Sequence, residues 1–474
     1  MEETSCDRKE VMQDLVGDIS NYFVNEGPVG RIRAKNKDFC KKPDQKITPY
    51  LKSDLPKRLH FANSRRIEDV AVLVEPKWLF ERYSVYPGSL TFCAGGNHGY
   101  DNDVESMHAM FLSYGPKFQQ KKEIEPFANI ELYNLMCDVL EISPADNNGT
   151  HGSMNHVLSE TFYTPTHPQE QSRPTQCPLI SLVPGDELGC KCLAGHEINH
   201  RLNLTTEEKK KHVPFGRPQV LQPEHNYCIL HQEGFISGYS QNVIMPLWSS
   251  FTIDKPTNLD PLPAVTPNCL RADVRLPKLL SPRCDQYEAA EKLTYAFLYP
   301  PSLCKVLTLL VFIISLFSFL GIWDYLHNTL LKKYASIYNG INVVTGPVFD
   351  YNYDGRYDTS EQIDQVVPGT NISIPTHYFM VLTSCKDMQK PVSACDGELQ
   401  TVSFLLPHRA DHTESCKSAE DESLWVEDHI WFHQSRVRDV ELVTGLDFYS
   451  GSSLPVPELL KMKTRPTAAI KRKQ

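Results

Sequence analysis

The sequence predicts a mixed α/β and α+β protein in which two unlike folded segments flank a linker. Three observations point there. Residues 1–160 interleave short helical and strand signals, residues 161–210 turn to Pro, Thr, His, Gln and Gly with few periodic apolar runs, and residues 211–474 are dominated by short strands and turns. At 474 residues the chain can bury two or three cores.

In the first segment, Ile130, Tyr133, Cys137 and Leu140 recur at helical spacing over 129–140, with Pro144 beyond the end, and predict a helix with that apolar face. The linker is rich in turn residues and carries three cysteines that can tie it down. In the third segment, 244–248 and 378–382 read as strands. The run 209–212, three lysines and His212 after Glu207 and Glu208, reads as a solvated helical face. Residues 423–444 place Trp425, Val426, Ile430, Val437 and Val440 on the apolar side of one long amphipathic helix. The basic tail 461–474 reads as a frayed terminus.

Residues 306–323 form the longest apolar run. As one helix its eighteen residues would reach about 27 Å, just short of a bilayer core. Three readings stay open: a membrane-spanning or inserting segment, a buried helix, or sequence foreign to the folded protein.

Residues 350–361 carry the sharpest motif. Asp350, Asn352, Asp354, Asp358 and Glu361 set oxygen side chains at positions 1, 3, 5, 9 and 12 of a calcium loop. Gly355 stands at the turn, and the Arg356 carbonyl can serve at position 7. Ca²⁺ takes six to eight oxygens from one tight turn, which this alternation supplies. Val343, Val344 and the 347–349 stretch lead in as strand and turn, so the loop reads as a structural calcium site rather than a helix-flanked switch.

A net charge of −10 excludes a general nucleic-acid binder, and no specific nucleic-acid partner is expected. Fourteen cysteines without zinc-finger spacing and the acceptor triplets at Asn148, Asn203 and Asn371 point to an oxidising, extracellular setting, secreted or at the cell surface. The acidic start is no signal peptide, so the chain is expected to begin part-way through a longer protein or to be exported by another device. His196, Glu197 and His200 spell H-E-x-x-H, the zinc-protease pattern. They sit in the linker after a glycine, without the expected downstream ligand, and read as coincidence. His98 lies in a Gly-rich loop, Gly95-Gly-Asn-His98-Gly, where backbone can approach a ligand closely.

Longer blocks carry a more specific signal. Pro49-Tyr-Leu-Lys, Leu55-Pro-Lys-Arg-Leu-His-Phe-Ala62, Gly96-Asn-His-Gly-Tyr-Asp-Asn102 and Tyr133-Asn-Leu-Met-Cys-Asp138 are four of them. Asn147-Asn-Gly-Thr-His-Gly-Ser153, Asn342-Val-Val-Thr-Gly-Pro-Val-Phe-Asp350 and Thr444-Gly-Leu-Asp-Phe-Tyr449 complete the set. With these the chain resembles the ectonucleotide pyrophosphatase/phosphodiesterase family along nearly its whole length. The resemblance implies an alkaline-phosphatase-like phosphodiesterase domain, whose C-terminal part is 1–160, then a disulfide-tied linker and a nuclease-like domain over 211–474. It implies hydrolysis of phosphodiester and pyrophosphate bonds in nucleotides or at oligonucleotide ends, with two zinc ions, a threonine nucleophile and release of nucleoside 5′-monophosphates.

By resemblance His98 is one zinc ligand, and Asp350, Asn352, Asp354, Arg356 and Asp358 match the calcium site. Glu361 is added by the spacing alone. The resemblance implies disulfides Cys6–Cys93, Cys40–Cys416, Cys177–Cys228, Cys190–Cys284, Cys192–Cys269 and Cys385–Cys395, leaving Cys137 and Cys304 over. It also places the nucleophile and the other zinc ligands upstream of Met1, so these residues by themselves are expected to be inactive. The nuclease-like domain is expected to be inactive too, since Phe297 stands where the nuclease pattern has histidine. The run 302–322 departs from the family with sharp edges, which suggests altered splicing, a retained intron or a faulty gene model. The alternative reading is a calcium-stabilised, non-catalytic binding scaffold, secreted or membrane-tethered.

Overall fold

A computed structural model of the chain describes residues 1–33, 41–42, 44–83, 95–177, 189–190, 204–256, 270–271, 273, 275–277, 280–281, 293–303, 312–410 and 421–467. It divides into two compact units. The first holds Met1–Ser113, Asn352–Asp354 and Asp411–Trp425, and the second holds Tyr114–Tyr351, Gly355–Ala410 and Val426–Gln474.

In the first unit Val70-Ala-Val-Leu-Val74 is a β-branched run stopped by Glu75-Pro76, and it becomes an interior strand. The strands here are β1 (Glu2–Thr4), β2 (Lys9–Val11), β3 (Phe23–Asn25), β4 (Val29–Arg33), β5 (Ile47–Leu51), β6 (Val70–Val74), β7 (Leu79–Glu81) and β8 (Gly95–Asn97). An antiparallel sheet runs β3-β4-β6-β5, with Pro49 on its edge strand β5, where a missing N–H costs no ladder bond. Helix α1 (Met12–Val16) lays Met12 and Leu15 on a core with Ile32, Ile47, Val70, Val72 and Phe80. Strand β1 pairs antiparallel with β8, Glu2 opposite Asn97.

The second unit is built on an eight-stranded sheet. Its members are β9 (Thr175–Gln176), β10 (Tyr227–His231), β11 (Ile236–Ser240), β12 (Met245–Ile253), β13 (Ile341–Val348), β14 (His377–Cys385), β15 (Leu399–Pro407) and β16 (Gln434–Ser435). The order is β16-β15-β14-β13-β12-β11-β10-β9, antiparallel throughout except β9 beside β10. Every residue of β14 is buried, because both faces are covered. Alternation puts neighbours on opposite sides. Tyr378 meets Phe319 and Trp323 of α4 (Phe317–Tyr325), each at 5.5 Å between rings, while Phe379 meets Phe448 at 6.0 Å.

Four expectations change. The 129–140 helix forms as a 3-10 turn, Asn129–Glu131, and α2 (Leu132–Leu140), yet Tyr133 and Leu140 are exposed while Glu131, Asn134, Cys137 and Asp138 are buried. Its inner face is polar because the 147–153 loop supplies hydrogen-bond partners to it. The helix expected over 423–444 is two, α6 (Glu422–Phe432) and α7 (Val437–Thr444). Between them Gln434 and Ser435 leave the helix to pair with Phe404 and Ser403 at the sheet edge.

His212 is not on a solvated face. It ends α3 (Thr206–Lys211) buried, accepts a bond from Thr252 N on Nδ1 at 3.1 Å and faces Glu233 O through Nε2 at 3.0 Å. Burial pushes this imidazole down to about 4. Lys463, in the tail expected to fray, is buried in α8 (Val456–Thr464) against Glu441 and Asp447, at 2.6 and 2.8 Å.

The apolar run is not one helix over its described part. Residues Phe312–Leu316 form a strand paired with Leu293–Phe297, and α4 follows with Phe319, Ile322 and Trp323 buried. Among the described residues no helix is long and apolar enough to cross a membrane.

Candidate metal and structural sites

The calcium-type loop is a closed turn. Strand β13 delivers the chain at Asp350, whose own amide donates to Thr376 Oγ1 at 3.1 Å. Asp350 Oδ2 accepts Gly355 N at 3.2 Å, Asp358 Oδ2 accepts Tyr351 N at 2.6 Å, and Asn352 Oδ1 accepts Asp354 N at 2.9 Å. Gly355 takes φ +76°, the left-handed conformation the turn needs. Asp358 N donates back to Phe349 O at 3.0 Å, so the loop returns to where it began.

Asp350 is 0% exposed and Asp358 4%, whereas Asn352, Asp354 and Arg356 are exposed. Buried carboxylates in one turn, with carbonyl and amide oxygens beside them, are the hard donors that suit Ca²⁺. Asp350, Asn352, Asp354, Asp358 and the Arg356 carbonyl are donor types that Ca²⁺ takes, although Asp350, Asp354 and Asp358 are not gathered closely enough here to hold an ion. Glu361 is exposed on the following turn, where Gln362 N donates to Thr359 O.

His98 is exposed, and its amide donates to Asn97 Oδ1 at 3.0 Å. Its loop is firmly held. Arg58 grips Asp101 with two parallel bonds of 2.7 and 2.6 Å and adds Asn102 Oδ1 at 3.1 Å. Burial works to raise Asp101, but the Arg58 bonds and charge hold it below the usual carboxylate range. Tyr100 donates to Trp78 O at 2.8 Å. Among the described residues no group of three His, Cys, Asp or Glu side chains gathers to hold a metal.

His196, Glu197, His200 and Asn203 lie outside the described residues, as do Cys40, Cys93, Cys192, Cys269, Cys284, Cys304 and Cys416. Cys6 is disulfide-bonded, and bonds join Cys177 to Cys228 and Cys385 to Cys395. Among the described cysteines Cys137 is a free, buried thiol. Asn148 and Asn371 are exposed.

A cluster that no sequence spacing announces lies in the second unit. Glu131, 0% exposed, accepts Arg436 Nη1 at 2.8 Å on one oxygen. Its other oxygen takes Thr150 N at 2.7 Å and Ser153 Oγ at 2.8 Å. Arg436 also donates from Nε and Nη2 to Asp439, at 3.1 and 2.7 Å. Burial works against the guanidinium, yet Asp439 and Glu131 raise its pKa, so the cation persists. Beside it Asp138 and His151 pair at 2.6 Å, and Tyr163 stacks on the imidazole at 3.8 Å. These groups fasten the 147–153 loop and α2 to α7.

Comparison with known proteins extends along the whole chain. The family model described as type I phosphodiesterase / nucleotide pyrophosphatase matches residues 6–101. Venom phosphodiesterase 2 of Crotalus adamanteus is 47% identical over 493 residues, covering 98% of this chain and 60% of that relative. Venom phosphodiesterase of Naja atra is 46% identical over 499 residues, covering 98% and 59%. Ectonucleotide pyrophosphatase/phosphodiesterase family member 3 of Bos taurus is 45% identical over 496 residues, covering 98% and 56%. The chain thus spans 56–60% of the length of these relatives.

Proposed function

Because the chain belongs to the nucleotide pyrophosphatase/phosphodiesterase family, we propose that it forms part of a secreted or cell-surface enzyme acting on nucleotides and oligonucleotide ends. The reaction is zinc-dependent hydrolysis of phosphodiester and pyrophosphate bonds, releasing nucleoside 5′-monophosphates. In this reading 1–160 is the C-terminal part of an alkaline-phosphatase-like domain, and 211–474 is a nuclease-like support without catalytic duty. The observation that carries it is similarity at 45–47% over 98% of the chain, which no single shared module would produce.

These 474 residues are proposed to be inactive on their own. Each catalytic zinc takes about three protein ligands, and His98 alone represents that set here. No hydrolytic step is assigned to these residues. Bis(p-nitrophenyl) phosphate supplied with the purified chain and zinc should release no nitrophenol above background. Zinc-dependent turnover would overturn this part of the reading.

The calcium loop is proposed to staple the second unit's sheet to the segment after β13. Bound there, Ca²⁺ supplies oxygen cross-links and no chemistry. A tenfold excess of Ca²⁺ over its dissociation constant stabilises a fold by about 1.4 kcal/mol. Chelation by EGTA should therefore lower the melting temperature, and Asp350→Ala should remove the response to EGTA. A wild-type melting temperature indifferent to EGTA would refute the site.

A further inference from the structure

Helix α3 ends against strands β12 and β13, and its last carbonyls are taken by their side chains. Lys211 O accepts Thr252 Oγ1 at 2.9 Å, while His212 O accepts Ser250 Oγ at 2.5 Å and Asn342 Nδ2 at 3.2 Å. A helix end leaves such carbonyls without intrahelical donors, so the sheet completes the helix. The imidazole of His212 fills the same junction at 5% exposure.

The two ring nitrogens have fixed and different duties. Thr252 N–H donates to Nδ1 at 3.1 Å, so Nδ1 must offer a lone pair. Nε2 lies 3.0 Å from Glu233 O, which can only accept, so Nε2 carries the hydrogen. One neutral tautomer thus ties the end of α3 to β12 on one side and to the 231–235 turn on the other. The imidazolium cannot do this. A proton taken from water onto Nδ1 makes that nitrogen a donor facing an amide donor, and the Thr252 bond is lost.

The elements packed around the ring carry charges of both signs. Helix α3 has Glu207, Glu208, Lys209, Lys210 and Lys211, and Glu208 closes a capping box with Thr205. The 231–235 turn has His231 and Glu233, and Asp254 and Lys255 follow β12. Strand β13 has no charged residue. The turn after α5 (Leu331–Ile337) brings Tyr338, Asn339 and then Gly340, which packs beside Asp254. Lys211 disfavours a charge on His212 and Asp254 favours one, and these two face each other at 3.4 Å. His231 is itself lowered to about 4 by burial and by Lys209 and Arg275.

We propose that His212 is an acid-sensitive clasp, which holds α3 on the large sheet while its imidazole is neutral and lets go when Nδ1 takes up a proton. Burial, the largest cause, lowers this imidazole to about 4, against 6.5 for a solvated one. A lowered base binds its proton more readily in the open form. The closed clasp therefore keeps its full strength above pH 6.5 and loses it as pH falls toward 4. At pH 5 the proton favours release by about 30-fold over pH 7.5.

Hydrogen exchange by mass spectrometry on the full chain at pH 7.5 and 5.0, corrected for intrinsic rates, tests this. Amides of 206–213 and of Thr252 should open about 30-fold more at pH 5, while β13 and β14 stay protected. In His212→Gln the side-chain oxygen can accept from Thr252 and the amide can donate to Glu233, but nothing titrates, so the 30-fold response should vanish. His212→Asn, which keeps an acceptor for Thr252, is the second variant should the first not fold. An α3 no more acid-sensitive than the sheet would overturn the clasp from the wild-type data alone. So would an acid response of wild-type size in either variant.

Discussion

Replacing Arg436 with methionine is expected to lower the stability of the second unit by about 3–5 kcal/mol, the cost of breaking a buried ion pair from one side. The side chain is 6% exposed and bridges Glu131 and Asp439, which are 0% and 4% exposed. Methionine fills much of the volume but leaves two carboxylates facing each other across an apolar gap. Thr150 and Ser153 still serve one oxygen of Glu131, so part of its solvation survives. Asp439 keeps the Arg436 main-chain amide at 3.0 Å. Urea denaturation should show a lower midpoint with an unchanged slope. The triple variant Glu131→Gln, Arg436→Met, Asp439→Asn should recover more than half the loss, because no charge is then stranded. A loss below 1 kcal/mol for the single change would mean the triad is not held as the structure shows it.

Removing the Cys177–Cys228 bond by a double serine substitution is expected to cost about 4 kcal/mol by loop closure over 51 residues. The bond fastens β9, which makes only two paired positions with β10. Cys228 is fully buried beside Leu230, Tyr239 and Leu276. The serine hydroxyl at 228 would therefore add a desolvation penalty to the entropic loss. Limited proteolysis should then cut near residue 176 while the β12–β15 strands stay intact. Unchanged protease resistance would show that pairing, not the bond, secures the edge. Cys385–Cys395 closes a loop of 10 residues and should matter less.

How far the chain could be read in advance depended on whether the information was local. The strands at 244–248 and 378–382 were legible because β-branched and aromatic runs bounded by turn residues rarely do anything else, and they lie in Met245–Ile253 and His377–Cys385 but for Ile244. The turn at 350–358 was legible because its oxygen side chains alternate within one short stretch, and the structure closes that turn with Gly355 at its bend. Helix α2 was legible in place but not in orientation. Apolar spacing chose Tyr133 and Leu140, whereas the buried side follows Glu131, Asn134 and Asp138, whose partners come from another segment.

The break between α6 and α7 was hidden for the same reason. Helical periodicity continues through Gln434 and Ser435, and only the free edge of β15 draws them into a strand. Glu131 and Arg436 stand 305 residues apart, a distance over which no spacing rule operates. Arg58 and Asp101 lay inside two recognised blocks, yet only the fold shows that one clamps the other.

Metal content tests the central claim most directly: that the catalytic zinc set is not present in these residues while the calcium loop is. Purified chain, gel-filtered in buffer with millimolar calcium and trace zinc and then analysed by plasma mass spectrometry, should carry about one calcium and well under one zinc per chain. Two tightly held zincs per chain, surviving gel filtration, would contradict the account.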